Sequence, residues 1–249
     1  MIVEQTKQKC AHEGCVCEVH SSQTYCSPYC ATAAAEHAAR RMMSRIESRD
    51  PSPYIPSRAR AFVYVATCRD EDILKVGFSR DPLARLRSFH PRYFEFFDLD
   101  RSFLIETDKV KDARAIERRL AREVAEHSAP SPLLIEWTAG GHTEWYRGAY
   151  AAIHADAMRA IAELGHGYHA SLRQWLRGRL TLQSDMIYEW SGQMLRTLEI
   201  QRGSDPQGAL NMQDALEAAL DAYEHVGLAA QHLLPEDVLD WWQQRKNAR

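Results

Sequence analysis

The chain has 249 residues, of which 45 % are hydrophobic and 26 % are charged, and its formal net charge at pH 7 is −3. These values are those of an ordinary globular protein, and the slight negative charge excludes a histone-like protein that coats DNA through uniform positive charge. The polar N-terminus does not predict a signal peptide, and no run of about 18 apolar residues predicts a membrane span. We therefore expect a cytoplasmic protein without membrane partners.

The first segment of the chain is marked by cysteines. Five of the six lie in residues 10–30, in the pattern C-x4-C-x-C-x8-C-x3-C. Cytosolic thiols stay reduced and bind metals more often than they form disulfides, and a structural zinc ion takes four tetrahedral ligands. The spacing therefore predicts one zinc site, and a cysteine cluster without metal stays open as the alternative.

Residues 9–31, KCAHEGCVCEVHSSQTYCSPYCA, resemble the finger portion of bacterial metallothioneins. The resemblance implies that one Zn²⁺ is held by Cys10, Cys15, Cys26 and Cys30. Alternatives in which Cys17 or His12 replaces one of those four ligands stay open.

An arginine-rich stretch follows the cysteines. It has the composition of a short helix, and the prolines that come after it predict a linker over residues 49–60. Residues 1–48 are thus expected to form a zinc finger with a basic helix. Because arginines outnumber acidic residues there, the stretch predicts contact with phosphate. We expect nucleic-acid binding by Arg40, Arg41, Arg45 and Arg49, together with Arg87 farther along the chain.

The next unit begins with a predicted β-hairpin. Residues 62–67 and 73–77 are rich in β-branched and aromatic residues, and the polar stretch CRDEDI lies between them. A symmetric hairpin would place Tyr64 opposite Lys75, on the face that also carries Gly77. Asp81 and Pro82 then predict the start of a helix, whose apolar side is formed by leucines and a phenylalanine and whose Arg85 projects elsewhere.

A second helix is predicted over residues 109–127, with Thr107 or Asp108 as its cap. Glu117 falls within the apolar arc of this helix, whereas the arginines fall outside it. A carboxylate in such a place needs a cation, a metal ion or protonation, because an unpaired buried charge is costly. Pairing of Glu117 with a neighbouring arginine is the simpler alternative.

Four short motifs in residues 61–147 together resemble the GIY-YIG nuclease superfamily, and above all its phage and mobile-element branch. They are Phe62-Val63-Tyr64, Lys75-Val76-Gly77, Arg85, and Thr143-Glu144-Trp145-Tyr146. The resemblance implies a small mixed sheet with flanking helices and a DNA endonuclease activity that depends on Mg²⁺ or Mn²⁺.

The same resemblance assigns roles to four residues. Glu117 would hold the metal ion, and Tyr64, with its pKa lowered by neighbouring positive charge, would deprotonate the attacking water. Arg85 would stabilise the phosphorane, and Lys75 would act as a second electrostatic partner. Histidines of some relatives are replaced here by Phe89 and Ala121, so a DNA-binding protein with weak or no catalysis is the alternative function.

The remainder, residues 148–249, is predicted to be an all-α domain. Helices are expected over 149–164, over a longer segment from Leu172 to Leu198, over 211–232 and over 236–246, with GSDPQG at 203–208 as a linker. Stripes of leucine and tryptophan at helical spacing are typical of a core or an oligomer interface. A homo-oligomer formed through these helices is therefore an expectation.

Overall fold

The computed structural model describes residues 7–12, 15–20, 23–27, 30–31, 34, 60–135, 139 and 143–248. The chain divides into two compact units, Met1–Tyr54 and Ile55–Arg249. Among the described helices, none combines the length and the apolar character needed to cross a membrane.

The first unit contains a small antiparallel ribbon. Its strands are β1 (Lys7–Lys9) and β2 (Glu18–His20), paired so that Gln8 lies opposite Val19. Val19 is buried together with Cys10 and Cys30, and these three residues form the centre of the unit. The predicted basic helix and linker, with Arg40, Arg41, Arg45 and Arg49, lie outside the described residues.

The second unit contains a six-stranded sheet. The strands are β3 (Ala61–Cys68), β4 (Ile73–Ser79), β5 (Phe97–Thr107), β6 (Ser128–Ala129), β7 (Trp145–Arg147) and β8 (Gly167–His169). Their order across the sheet is β6-β7-β4-β3-β5-β8. Every pairing in it is antiparallel, whereas we expected a mixed sheet. The predicted α+β class is confirmed.

Helices cover both faces of this sheet. They are α1 (Pro82–Phe89), α2 (Tyr93–Phe96), α3 (Val110–Glu123), α4 (Tyr150–Leu164), α5 (Leu172–Thr181), α6 (Ser184–Gln201), α7 (Pro206–His225) and α8 (Glu236–Asn247). Helices α3 and α4 pack on one face, where Val63 meets Ile116 and Ile153. The other helices share an apolar cluster with the opposite face. All eight residues of β3 are buried, because this central strand is covered on both sides.

The hairpin of β3 and β4 forms as predicted, but its register is different. Tyr64 pairs with Gly77, and Lys75 pairs with Ala66. The predicted pairing of Tyr64 with Lys75 is therefore wrong by two residues. Because side chains alternate along a strand, a shift of two residues keeps the same face, so Tyr64, Lys75 and Gly77 still share one side of the ribbon.

Strand β5 was not predicted. It is the second neighbour of β3, and its first half, residues 98–102, is mostly polar, which hides the strand pattern. The register shifts at this point, and the side chain of Ser102 takes the place of a backbone partner there. Its Oγ accepts from the backbone N–H of Thr67 at 2.9 Å and donates to the carbonyl of Asp98 at 2.6 Å.

The start of α1 agrees with the sequence prediction, and the starts of α3 and α7 differ from it. Asp81 caps α1 and accepts from the N–H of Ala84 at 3.1 Å, as predicted. Helix α3 instead begins after Lys109, because the Thr107 hydroxyl donates to the carbonyls of Ala61 and Lys109 and so is not a cap.

The C-terminal helices also differ from the expected boundaries. The single long helix is two helices, α5 and α6, which break at residues 182–183. The predicted linker at 203–208 contains the start of α7, since Asp205 accepts from the N–H of Gly208 at 2.9 Å and Pro206 follows it. An Asp-Pro pair is the same start signal that begins α1.

Candidate active site

The candidate site lies around Gly77, where strand β4 extends beyond its pairing with β7; this part of the strand is here called the β4 edge. A Cβ atom built on Gly77 would overlap the hydroxyl and the ring of Tyr64, so the phenol lies directly across the glycine backbone. The Tyr64 side chain is 2 % exposed. Only glycine leaves room for this close approach, and the glycine of the second tripeptide therefore fixes where the tyrosine hydroxyl points.

Arg85 reaches the tyrosine from helix α1. Its charge lies close enough to the phenol to oppose the raised pKa of Tyr64, and its Nη1 donates to the carbonyl of Ala139 at 2.9 Å. The guanidinium stacks 4.3 Å from the ring centre of Phe89, the residue that replaces a histidine of some relatives. These contacts hold the guanidinium beside the Tyr64 hydroxyl.

Glu117 approaches the same edge from helix α3, on the other face of the sheet. Its carboxylate lies close enough to the backbone N–H of Phe78, the residue after Gly77, for that group to oppose the raised pKa of the carboxyl. Burial raises the pKa of Glu117, and the nearby charge of Glu144 raises it further, while Lys75 opposes the shift. Glu117 is thus half-buried without a full counter-charge, and this is the environment that the apolar arc of the sequence indicated.

Lys75 has the least expected environment of the four predicted residues. Its side chain is 1 % exposed, and Nζ donates to the carbonyl of Thr143 at 2.5 Å and to the carboxylate of Glu144 at 3.0 Å. Burial lowers the pKa of Lys75, and the ion pair with Glu144 opposes this effect. The ammonium therefore faces the segment before β7, and we expected it to face a phosphate.

Glu144 is a member of the site that the residue-by-residue predictions missed. It has φ = 62°, and among the described non-glycine residues no other has a positive φ. Its carbonyl accepts from the N–H of Val76 at 3.1 Å, which aligns it with β4, while its carboxylate binds Lys75. Left-handed backbone at a non-glycine residue costs energy and is concentrated at functional sites. The signal in the sequence was the buried lysine, which requires a counter-charge.

The electrostatic environment of Tyr64 differs from the expected one. Burial raises the pKa of the phenol, and the charges of Glu117 and Glu144 raise it further, whereas the charge of Arg85 lowers it. We expected a lowered pKa. The burial of the ring dominates, so Tyr64 is protonated at neutral pH unless further positive charge approaches its hydroxyl.

Arg87 is not brought to this edge. It is exposed on α1, and its charge opposes the rise in pKa that burial causes at Tyr93 and Tyr223, which lie toward the C-terminal helices. Ala121, at the other histidine position, lines a depression on the outer side of α3.

The cysteine cluster is a separate candidate site in the first unit. The Sγ atoms of Cys10, Cys15, Cys26 and Cys30 all lie within 4.8 Å of one another. Cys26 lies 3.6 Å from Cys15 and 3.5 Å from Cys30, and every cysteine in this group is a free thiol. Four sulfurs around a tetrahedral Zn²⁺ at about 2.3 Å would be about 3.8 Å apart. The four cysteines can therefore bind a metal ion such as Zn²⁺.

Two observations bear on metal binding at this cluster. The backbone N–H of Cys17 lowers the pKa of Cys15 to about 7, so a thiolate is accessible at neutral pH. In the described part of this unit, the group of close ligand atoms contains neither Cys17 nor His12.

Residues 61–163 match the protein family described as the T5orf172 domain. No curated protein and no solved structure is significantly similar to the chain. The matched range begins with β3 and ends within α4, so it contains Tyr64, Arg85, Glu117 and the Lys75–Glu144 pair. The T5orf172 domain is phage-associated and related to nuclease families, and it indicates a nuclease-type or DNA-binding function. Residues 61–163 are therefore similar to the T5orf172 domain family.

Proposed function

We propose that this protein is a metal-dependent endonuclease of the GIY-YIG type that hydrolyses phosphodiester bonds in DNA. The observation that carries the proposal is the meeting of three groups from three elements at the edge of β4. Tyr64 from β3 lies close enough to Arg85 of α1 and to Glu117 of α3 for both charges to act on its pKa, which Arg85 lowers and Glu117 raises. A proton acceptor, a cation and a carboxylate are the groups that phosphodiester hydrolysis requires.

In this proposal the scissile phosphate lies between Tyr64 and Arg85. The water attacks phosphorus and gives its proton to the ionised Tyr64 oxygen, while the bond from phosphorus to the leaving oxygen breaks. Arg85 stabilises the extra negative charge of the phosphorane, and its charge near Tyr64 favours the ionised phenol. Because burial raises the pKa of Tyr64, this acceptor depends on positive charge nearby.

The carboxylate of Glu117 would hold Mg²⁺ or Mn²⁺, which supplies charge neutralisation on the phosphate when bound. Magnesium usually keeps several waters and is held by one or two carboxylates together with substrate phosphates. A single half-buried carboxylate next to a phosphate position fits this pattern of coordination. Burial raises the pKa of Glu117, so a cation would also relieve the cost of its charge.

The alternative is a DNA-binding protein with weak catalysis on the same fold. The inward-facing Lys75 favours it, because its ammonium is occupied by Thr143 and Glu144 and does not supply the second positive charge that we expected. Arg85 and the cation must then carry the electrostatic stabilisation alone.

The first unit would support DNA binding in either case. We propose that Cys10, Cys15, Cys26 and Cys30 hold one structural Zn²⁺ and that the adjacent arginines contact the phosphate backbone.

Nicking of supercoiled plasmid tests the proposal. We expect wild-type protein to nick DNA only when Mg²⁺ or Mn²⁺ is added, and Tyr64→Phe and Arg85→Ala each to be about 10²-fold slower or more. Tyr64→Phe keeps the packing against Gly77 and deletes only the proton acceptor. Equal nicking by wild type and Tyr64→Phe, or no nicking with any metal and substrate, would favour the binding alternative.

A further inference from the structure

Helix α3 carries arginines with two different environments. On the side facing α4, Arg119 binds Asp156 with two nitrogens, at 2.8 and 3.1 Å, and Glu163 at 2.6 Å. Between this side and Glu117 lie four basic residues that make no ion pair with any described carboxylate, here called the basic ladder: Lys111, Arg114, Arg118 and Arg122. The side facing α4 is therefore neutralised by the protein itself, and the basic ladder is not.

The basic ladder begins beside Glu117. At 100° per residue its four members fall in an arc of about 80°, which starts about 60° from Glu117. Arg114 is close enough to Glu117 for its charge to lower the carboxyl pKa, and it lies 5.1 Å from the ring centre of Phe78. The ladder thus continues directly from the candidate site, on its solvent side.

The side chains of the ladder are held along the helix. The Nε of Arg118 donates to the carbonyl of Arg114 at 3.1 Å, and the Nε of Arg122 donates to the carbonyl of Arg118 at 3.1 Å. Like charges three and four residues apart destabilise a helix. An anionic partner that binds all of them would remove this repulsion.

Two shallow depressions run along the ladder. One of 490 Å³ contains Glu117 and is bordered by Phe78, Lys111 and Arg118. The next, of 590 Å³, shares Arg118 and is floored by small residues: Ala115, Ala121 and Ala125. Small residues on the floor and arginines at the border allow a polyanion to approach the helix closely. The two depressions adjoin each other because Arg118 lines both, and the first of them contains Glu117 of the candidate site.

The dimensions fit a nucleic-acid strand. From Lys111 to Arg122 the helix rises by about 16 Å, at 1.5 Å per residue. One strand of B-DNA rises about 3.4 Å per nucleotide, so this length corresponds to roughly five phosphates. Four basic side chains along roughly five phosphates are enough to neutralise most of the charge of that backbone segment.

We propose that the basic ladder of α3 is a track for the sugar-phosphate backbone of duplex DNA, which leads the cleaved strand from Glu117 along the helix. The inference rests on the proposed function, since it takes the DNA bound at the candidate site as the partner. It assigns DNA contacts to residues other than Arg40, Arg41, Arg45, Arg49 and Arg87.

The test is the salt dependence of DNA binding by the full chain. Binding of a labelled duplex is measured in the Glu117→Gln background, so that the DNA stays intact, with and without Arg114→Gln, Arg118→Gln and Arg122→Gln together. The matched control replaces three exposed arginines of the C-terminal helical region, Arg177, Arg196 and Arg202, by glutamine. Both triple variants change the net charge equally.

We expect the ladder variant to lower the slope of log K against log salt by roughly two to three units, and the control to lower it by less than one. Its thermal stability should equal or exceed that of the parent, because like-charge repulsion is removed. If it does not fold, Arg118→Gln alone should lower the slope by about one unit.

An unchanged slope, or an equal loss in the control, would overturn the track. Equal binding of duplex RNA with the same loss of slope would overturn the assignment to DNA. The proposed nuclease function fails on a different result, the absence of metal-dependent nicking by wild type. A lowered slope without nicking would therefore keep the track and remove the enzyme.

Discussion

The cysteine cluster and the β4 edge are two candidate metal sites of opposite construction. The cluster has four ligands of one kind within 21 residues, and a small ribbon with three buried residues around it. The β4 edge has one carboxylate toward the metal, and it draws its groups from four strands and helices of a sheet buried on both faces. We therefore expect the first site to depend on its proposed ion, whereas the fold positions the second.

This contrast separates a structural metal from a catalytic one. Where ligand binding and folding are coupled, removing the ion removes the structure. Where a sheet positions the side chains, removing the ion should leave the fold and abolish only the chemistry.

The largest effect is expected at the cysteine cluster. Purified protein should contain about one zinc per chain, and Cys26→Ser should lose it together with the amide-exchange protection of the first unit. Structural zinc contributes roughly 10–16 kcal/mol in small fingers. The protection of residues 60–248 should not change.

Cys17→Ser is the matched control, because Cys17 lies outside the group of four. It should keep its zinc. Loss of zinc from Cys17→Ser, or retention in Cys26→Ser, would contradict the ligand set, as would elemental analysis that finds none or four.

At the β4 edge, a single methyl group should have a large effect on activity. Gly77→Ala forces the Tyr64 ring out of place, so we expect a loss of cleavage of about 10²-fold or more and a stability cost of about 1–3 kcal/mol. Gly178→Ala, where nothing lies within 4 Å of the added carbon, should leave cleavage unchanged and raise stability by up to about 1 kcal/mol, because it lies inside α5 and alanine favours a helix. Full activity of Gly77→Ala would show that the close approach is irrelevant to function.

The buried Lys75–Glu144 pair should show coupled energetics. Glu144→Gln leaves the ammonium without its counter-charge and should cost about 1–2 kcal/mol, less than in a fully buried pair because Glu144 is 41 % exposed. Adding Lys75→Met should recover part of this loss. Denaturant unfolding of the two single variants and the double variant gives the coupling, and simple additivity would mean that the ion pair does not hold β7 to β4.

The smallest effect is a pH-dependent stabilisation by Glu117→Gln. Burial raises the folded-state pKa of Glu117 above its unfolded value, so its ionisation is unfavourable in the fold. This cost is absent below the unfolded pKa and complete above the folded one. Without added Mg²⁺ or Mn²⁺, the variant should therefore gain a few degrees in Tm at pH 8 and nothing at pH 4.

The exposed Glu199→Gln is the control for this measurement. A variant at Glu117 that is less stable than wild type at pH 8 would mean that the carboxylate has a counter-charge in the fold.

Local signals predicted much of this fold. The two hairpin strands, the start of α1 at Asp81 and the end of α4 at Gly165 follow from β-branched runs, an Asp-Pro pair and a left-handed glycine. A cysteine metal site follows from spacing, and the resemblance to bacterial metallothioneins implied its four members. These features depend on residues close in the chain, which is why one sequence was sufficient.

Features that depend on distant contacts were not predictable in this way. Strand β5 is mostly polar over residues 98–102, and it is the hydrogen-bonded pairing with β3 that keeps this segment extended. The register of the hairpin is set by the whole sheet and differs by two residues from the symmetric choice. Lys75 turns inward because Glu144, nearly 70 residues later, offers a counter-charge. The Asp205-Pro206 start of α7 was missed although the same signal was recognised at Asp81.

The most direct test of the central claim is single-turnover cleavage of a labelled duplex by wild type and Glu117→Gln, with Mn²⁺ titrated and binding measured on the same samples. Glutamine keeps the size of the side chain and an oxygen for the N–H of Phe78, but it removes the charge that would hold the ion. We predict that binding persists while cleavage falls by at least about 10³-fold at every Mn²⁺ concentration. Equal cleavage by the two proteins would contradict a metal-dependent reaction centred on Glu117.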